Sequence, residues 1–148
     1  MKSKILKIVI ILFVIGVIVG ISVYMYVFHK PHRNIADEKP AFVLSATELL
    51  TQFSQREDSC NKVFGDKTLE IKGKIADITK KNNVVLTVVL ENSTSGVNCN
   101  FDSAYSVENN NILNKFEIGN DVVLKGKCDG YDAISGVVLT SCALSDKK

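Results

Sequence analysis

The sequence predicts a mainly β domain behind an amino-terminal transmembrane helix, on three observations. Residues 8–28, IVIILFVIGVIVGISVYMYVF, contain no charged side chain. After residue 65, apolar and polar residues alternate with the two-residue period of half-buried strands, in five separate segments. An amphipathic stretch of helical period precedes these segments, and a short one interrupts them after the third. With 148 residues the chain has room for one domain and an appendage, which excludes a two-domain enzyme.

At a rise of 1.5 Å per residue the uncharged run makes roughly 30 Å of helix, about the thickness of a bilayer's hydrocarbon core. Tyr24 and Tyr26 suit an interfacial aromatic belt, and Lys30 and Arg33 follow as head-group anchors. A buried core helix is the poorer reading, since so small a domain cannot cover the segment on every side. A cleavable signal peptide is the closer rival, because Gly20-Ile21-Ser22 is a small-x-small tripeptide. Against it, the apolar run continues through Val23–Phe28, beyond a cut at that point. The formal charge is +2, from 18 basic and 16 acidic side chains. Three of the lysines fall within residues 1–7, leaving 15 basic against 16 acidic side chains in the rest. The excess therefore reads as a topology signal holding the amino terminus inside. The chain divides into a cytoplasmic basic tail (1–7), a transmembrane helix (8–28), a tether containing Pro31 and Pro40 (29–44) and a domain (45–145). This places the domain outside the cytoplasmic (inner) membrane.

Within the domain, Ser45 followed three residues later by Glu48 is a capping box that starts a helix. Ala46, Leu49, Leu50, Phe53, Cys60 and Phe64 then recur at helical spacing, so one amphipathic helix is expected over 45–63. Beyond Gly65-Asp66, Leu69, Ile71, Gly73 and Ile75 alternate with Glu70, Lys72 and Lys74 as the first strand. Lys80-Lys81-Asn82-Asn83 turns into a second strand, Val84–Leu90, dense in β-branched residues. Val97–Phe101 is the third, with Cys99 on its apolar side. Ile112, Leu113 and Phe116 predict one short helix, and Val122–Cys128 and Val137–Leu144 complete the strands.

Three strands, a helix and two strands is the order of the OB fold, a five-stranded Greek-key barrel. Gly73 would lie where the first barrel strand coils sharply. On these residues the segment Ala46–Leu144 resembles the tRNA-anti-like OB-fold family. The features that carry the likeness are Asn61-Lys62-Val63-Phe64-Gly65-Asp66-Lys67 leading into Leu69–Ile75, then Gly96-Val97-Asn98-Cys99-Asn100-Phe101, Val122–Gly130 and Val138–Leu144. The resemblance implies the barrel and a place behind a membrane anchor or lipoprotein signal. It carries over no functional residues, and Cys60 lies outside its cysteine pattern.

The four cysteines, Cys60, Cys99, Cys128 and Cys142, form no CxxC pair and have no nearby histidine, which argues against zinc and against a redox motif. Two readings stay open: one disulfide within the set Cys99, Cys128 and Cys142, or thiols buried as small hydrophobes. His29 and His32, the only histidines, lie beside the membrane segment with Pro31 between them, so a helical metal pair is disfavoured. Without a histidine in the domain no Ser-His-Asp or Cys-His arrangement can form, and neither an enzyme nor a cofactor is expected.

Nucleic-acid binding requires a basic groove with exposed aromatics on which bases stack. Tyr105 and Tyr131 are the candidate platforms, and Lys72, Lys74, Lys125 and Lys127 the candidate stripe, flanked by Glu70, Asp77 and Asp129. An ordinary solvated strand face explains those lysines better. The reading preferred is a non-enzymatic module of the cell envelope that binds protein, peptide or glycan, with a nucleic-acid-binding domain on the cytoplasmic side as the alternative. Val84–Leu90 is apolar on both faces, so Val85 and Val89 need cover, from helix 45–63 or from a partner protein. Asn92-Ser93-Thr94 matches a glycosylation sequon that matters only in a eukaryotic secretory pathway.

Overall fold

The computed structural model describes residues 2–28 and 34–145, in two units that divide between Arg33 and Asn34. The first unit is helix α1, Lys2–Phe28. Its stretch Lys4–Tyr26 is long and apolar enough to cross a bilayer, by length and composition. The expected head-group anchors Lys30 and Arg33, and the pair His29 and His32, lie outside the described residues.

The second unit is built on strand β2, Thr68–Lys81. Leu69, Ile71 and Ile75 turn into the core while Lys72 and Lys74 remain exposed, as period-two alternation requires. Fourteen residues give β2 two sets of neighbours. Its first half, Thr68–Lys74, pairs antiparallel with Lys127–Asp121 of β5 (Asp121–Asp132). Its second half, Ile75–Lys81, pairs with β3 (Val84–Leu90), with a register shift between Ile75 and Asp77. Asn82 and Asn83, at φ 52° and 63°, make the left-handed turn that suits a two-residue hairpin. From β3 the sheet runs to β4 (Val97–Asn100), then parallel to β6 (Gly136–Leu144), and from β6 to β5. The β2–β5 pairing closes the ring, giving the five-stranded OB barrel expected from the element order.

Gly73 marks the place where β2 changes neighbours. A side-chain carbon there would lie 2.8 Å from the Ala46 Cβ and 3.3 Å from the Leu90 Cβ. The glycine is thus explained by close approach of a helix as well as by strand curvature. That helix is α2, Ala46–Phe64, capped by the Ser45 hydroxyl, which accepts from the Glu48 N–H at 3.1 Å. It buries Ala46, Leu49, Phe53, Cys60 and Phe64 against the barrel, as the spacing predicts. The single continuous helix expected is broken at Arg56 (φ −149°, ψ 57°), yet Cys60 and Phe64 return to the buried side.

Three further expectations are corrected. Residues 34–44, assigned to the tether, are part of the domain's compact unit. Phe42–Ser45 form a strand, β1, parallel to Leu69–Lys72, and Phe42 packs edge-on to Phe64 at 5.1 Å. Ile35 is buried, and the Lys125 ammonium donates to the carbonyls of Ala36 (2.6 Å) and Glu38 (3.4 Å). The short helix expected near Ile112 is two: α3 (Ser103–Glu108) and α4 (Asn110–Leu113). Helix α3 escaped the periodicity because its buried residue is Ser106, while Val107 is exposed. Finally, Val85 and Val89 are both buried without a partner chain. Val85 joins the core cluster, helices α3 and α4 lie against β3, and the β3–β4 loop folds onto Val89, where a side chain on Gly96 would come within 3.0 Å of the Val89 Cγ1.

Candidate binding surface

Of the six side chains that the sequence nominates for a ligand face, four are engaged within the fold and two stay exposed. Tyr131 stacks on Phe53 at 6.0 Å with an interplanar angle of 14°, so α2 occupies one face of the ring. Tyr105 stacks on Phe101 at 6.2 Å, and its hydroxyl accepts from the Leu144 N–H at 2.8 Å. Both rings pack against the core. Lys125 is buried beneath residues 34–41 and held by their carbonyls. Lys127 is ion-paired with Asp129 at 2.8 Å and Asp66 at 3.3 Å, and the hydrogen bond to Asp129 is the main cause that raises its pKa. Lys72 and Lys74 are exposed. The expected stripe is interrupted on β5, by acid neighbours at Lys127 and by the chain's own backbone at Lys125, and its β2 half stays exposed.

The disulfide candidates Cys99, Cys128 and Cys142 are all buried and, with Cys60, are free thiols in this structure. Burial raises the pKa of Cys60 and Cys128, and that of Cys142 well above its ordinary value. A thiol held protonated and away from solvent is a packing group, because the thiolate is the reactive form. Among the described residues no three His, Cys, Asp or Glu side chains gather as a metal-ligand set.

Two other places present built surface. One is the β5–β6 turn. The Asp132 carboxylate accepts from the backbone N–H of Ile134 (2.8 Å) and Ser135 (2.9 Å), and these bonds hold its pKa below the usual carboxylate value. The turn so fixed projects Ile134, which is 83% exposed. It is tied to β4 and to the loop before it: Asn98 donates to the Ser135 carbonyl at 2.5 Å, and the Val137 N–H to the Gly96 carbonyl at 3.1 Å. The other is a shallow groove of about 260 Å³ between the β2–β3 turn and α3, lined by Lys81, Asn82, Val84, Leu86, Ser103 and Val107. The first hairpin turn and the turn before the last strand are the loops that OB barrels use for ligands. Sequence reasoning missed both. The signal for the first was present in Asp132-Ala133-Ile134-Ser135, an Asx-turn sequence carrying a large apolar residue. The groove had no such signal, since it depends on where α3 docks.

A family model described as tRNA_anti-like matches residues 1–143. Among solved structures, a candidate nucleic acid-binding lipoprotein from Klebsiella pneumoniae is similar with a TM-score of 0.54 at 15% identity, over 70% of this chain and 91% of that one. At that identity the likeness shows the fold alone. A candidate aspartyl-tRNA synthetase from Leishmania major gives a TM-score of 0.43 at 9% identity, over 79% of this chain and 23% of that one, too distant to bear on either fold or function. No curated protein sequence matches the chain. The match along residues 1–143 and the closed five-stranded barrel agree, and the chain belongs to the tRNA_anti-like family of OB-fold domains.

Proposed function

We propose that the chain is a non-enzymatic binding module of the cell envelope, anchored by α1 with its amino terminus inside, whose barrel takes a protein, peptide or glycan ligand. One observation carries this reading. Both candidate stacking rings and Lys125 are spent on the fold, while the loop rim used by OB barrels displays an apolar residue, Ile134, on a rigid turn. An exposed aliphatic side chain beside a carboxylate suits a protein or glycan surface better than a phosphate backbone.

The membrane side is testable through the buried cysteines. Since all four native thiols are shielded, a single cysteine placed at Ile118, which is 66% exposed, gives one reactive site. In intact cells, Ile118→Cys is expected to react with a membrane-impermeant maleimide. Labelling only after lysis would remove the envelope location. One observation favours the second reading, an oligonucleotide-binding domain inside the cell: Lys72, Lys74, Lys80 and Lys81 all lie exposed on β2. Retention of the chain on single-stranded DNA, weakening steeply with salt, would support that reading over ours.

A further inference from the structure

Five residues, 29–33, join the last residue of α1 to the first of the domain, and so short a chain spans at most roughly 20 Å when fully extended. Residues 34–41 add no slack to it. Ile35 is buried, and the Ala36 and Glu38 carbonyls hold Lys125. The Glu38 carboxylate accepts from the Thr68 hydroxyl, and the Ala41 N–H donates to the Thr68 carbonyl at 2.7 Å. The end of the barrel where this segment enters β1 has a composition of its own. Phe42, 37% exposed, packs on Phe64 and so stands beside the last turn of α2, where Val63 is 48% exposed. Three exposed lysines border them: Lys39 before β1, Lys62 on α2, and Lys67, whose N–H donates to the Phe64 carbonyl at 3.0 Å. The carboxylates beside them are engaged, Asp66 and Asp129 with Lys127, Glu38 with Thr68, and Asp37 with the Asn34 side chain at 2.6 Å. Glu57 and Asp58 stand at least one helical turn back from Lys62 along α2.

We propose that this end of the barrel rests on the surface of the bilayer that α1 spans. Phe42 and Val63 enter the head-group layer, and Lys39, Lys62 and Lys67 meet anionic lipid phosphates. The chemistry is that of interfacial segments, an apolar patch bordered by lysines whose stems lie along it. The short tether argues for lipid over a soluble partner. So small a patch would hold a free domain weakly, but attachment through the same chain makes the contact intramolecular and raises its effective concentration. Lysines near an anionic leaflet add an attraction that fades within a Debye length, a range the tether keeps within reach. The docking rests on the anchored reading proposed above.

The test uses the full chain, methyl-labelled at isoleucine and valine, in nanodiscs of phosphatidylcholine and phosphatidylglycerol. Spectra are compared with and without lipid that carries gadolinium on its head group. Ile118 is the reference, because the next residue, Gly119, donates to the Ile75 carbonyl. Ile75 lies six residues along β2 from Leu69, the register partner of Phe42, and so roughly 20 Å away. The Val63 methyls are expected to broaden severalfold more than those of Ile118. Tethering alone would also give a gradient, so charge decides. Reversing the lysines together (Lys39→Glu, Lys62→Glu, Lys67→Glu) should bring Val63 close to the Ile118 value, and so should replacing all phosphatidylglycerol by phosphatidylcholine. Unshifted methyls of the buried Val88 report an intact core, and if the variant lost it the lipid exchange still decides. Equal broadening at both positions in the parent chain, or a gradient that ignores the change of charge, would overturn the docking. The anchor is tested separately, by alkaline carbonate extraction of cell membranes. A chain released by carbonate sinks the anchored reading, whereas a chain retained by membranes but lacking the charge-dependent gradient sinks the docking alone.

Discussion

The barrel is closed by two seams of unequal strength. Between β2 and β5 the strands run antiparallel and remain in register from Thr68–Lys74 to Lys127–Asp121. Between β4 and β6 they run parallel and share only Val97–Cys99 with Val137–Leu139. The long seam is also covered, by α2 from the core side of its end and by residues 34–41 clamped on Lys125. Beside the short seam lie the β5–β6 turn and the β3–β4 loop, the region that displays Ile134. The difference teaches where this fold concentrates its stability: in the seam away from the candidate rim. The rim stands next to the part most able to open, which is the usual origin of binding loops.

The largest effects should come from truncating the core at each seam. Leu124→Ala, opposite Ile71, and Leu139→Ala, opposite Cys99, each remove a fully buried side chain and should cost about 2–5 kcal/mol in urea unfolding. Native-state hydrogen exchange distinguishes them. Leu139→Ala is expected to speed exchange of the β4 and β6 amides while the β2–β5 amides still open only with global unfolding. Equal protection of both seams in the parent chain would break the comparison. At the point where β2 passes from one seam to the next, Gly73→Ala forces a carbon to 2.8 Å from Ala46, and a loss of about 1–3 kcal/mol is expected.

A somewhat smaller change tests the cover on the long seam. The Lys125 ammonium is satisfied by the Ala36 and Glu38 carbonyls, so Lys125→Met keeps the stem and removes the clamp. Charged hydrogen bonds of this kind contribute about 1.5–3 kcal/mol each, less what the thioether regains by packing. Limited proteolysis should then cut within residues 34–41 well before the barrel unfolds. Unchanged resistance there would mean that Ile35 and β1 hold the segment by themselves.

The sequence was most legible where one physical rule acted alone. Alternation found the five barrel strands, and the capping box with its apolar stripe found α2, because period and cap are local properties. Strand β1 was missed since Phe42-Val43-Leu44 is too short to show a period and sits between a proline and a capping serine. Helix α3 was missed because its inward residues are Tyr105 and Ser106, not aliphatics. The candidate site was less legible still. Tyr131 and Lys125 have the composition of a ligand face, but the partners that occupy them, Phe53 and the carbonyls of residues 36 and 38, come from segments roughly eighty to ninety residues earlier in the chain. A lysine's availability is a tertiary property, and residue type cannot report it.

The smallest expected effect lies at the end of the long seam, where Lys127 meets Asp129 and Asp66. Its hydrogen bond to Asp129 raises the ammonium pKa above that of an ordinary lysine, so the sign follows directly. The pair's contribution is fully present below the unfolded-state value and is lost as the pH rises through the raised folded value. The lysine is partly exposed and Asp66 almost wholly so, and pairs of that kind contribute only about 0–1 kcal/mol, less at high salt. Lys127→Met should therefore shift the urea midpoint only slightly at pH 7 and low salt, with the shift shrinking as salt is added. It should leave the exchange rates of β4 and β6 untouched. If those rates rose instead, the two seams would be energetically coupled through β5, and the barrel would open as one unit rather than from its parallel side.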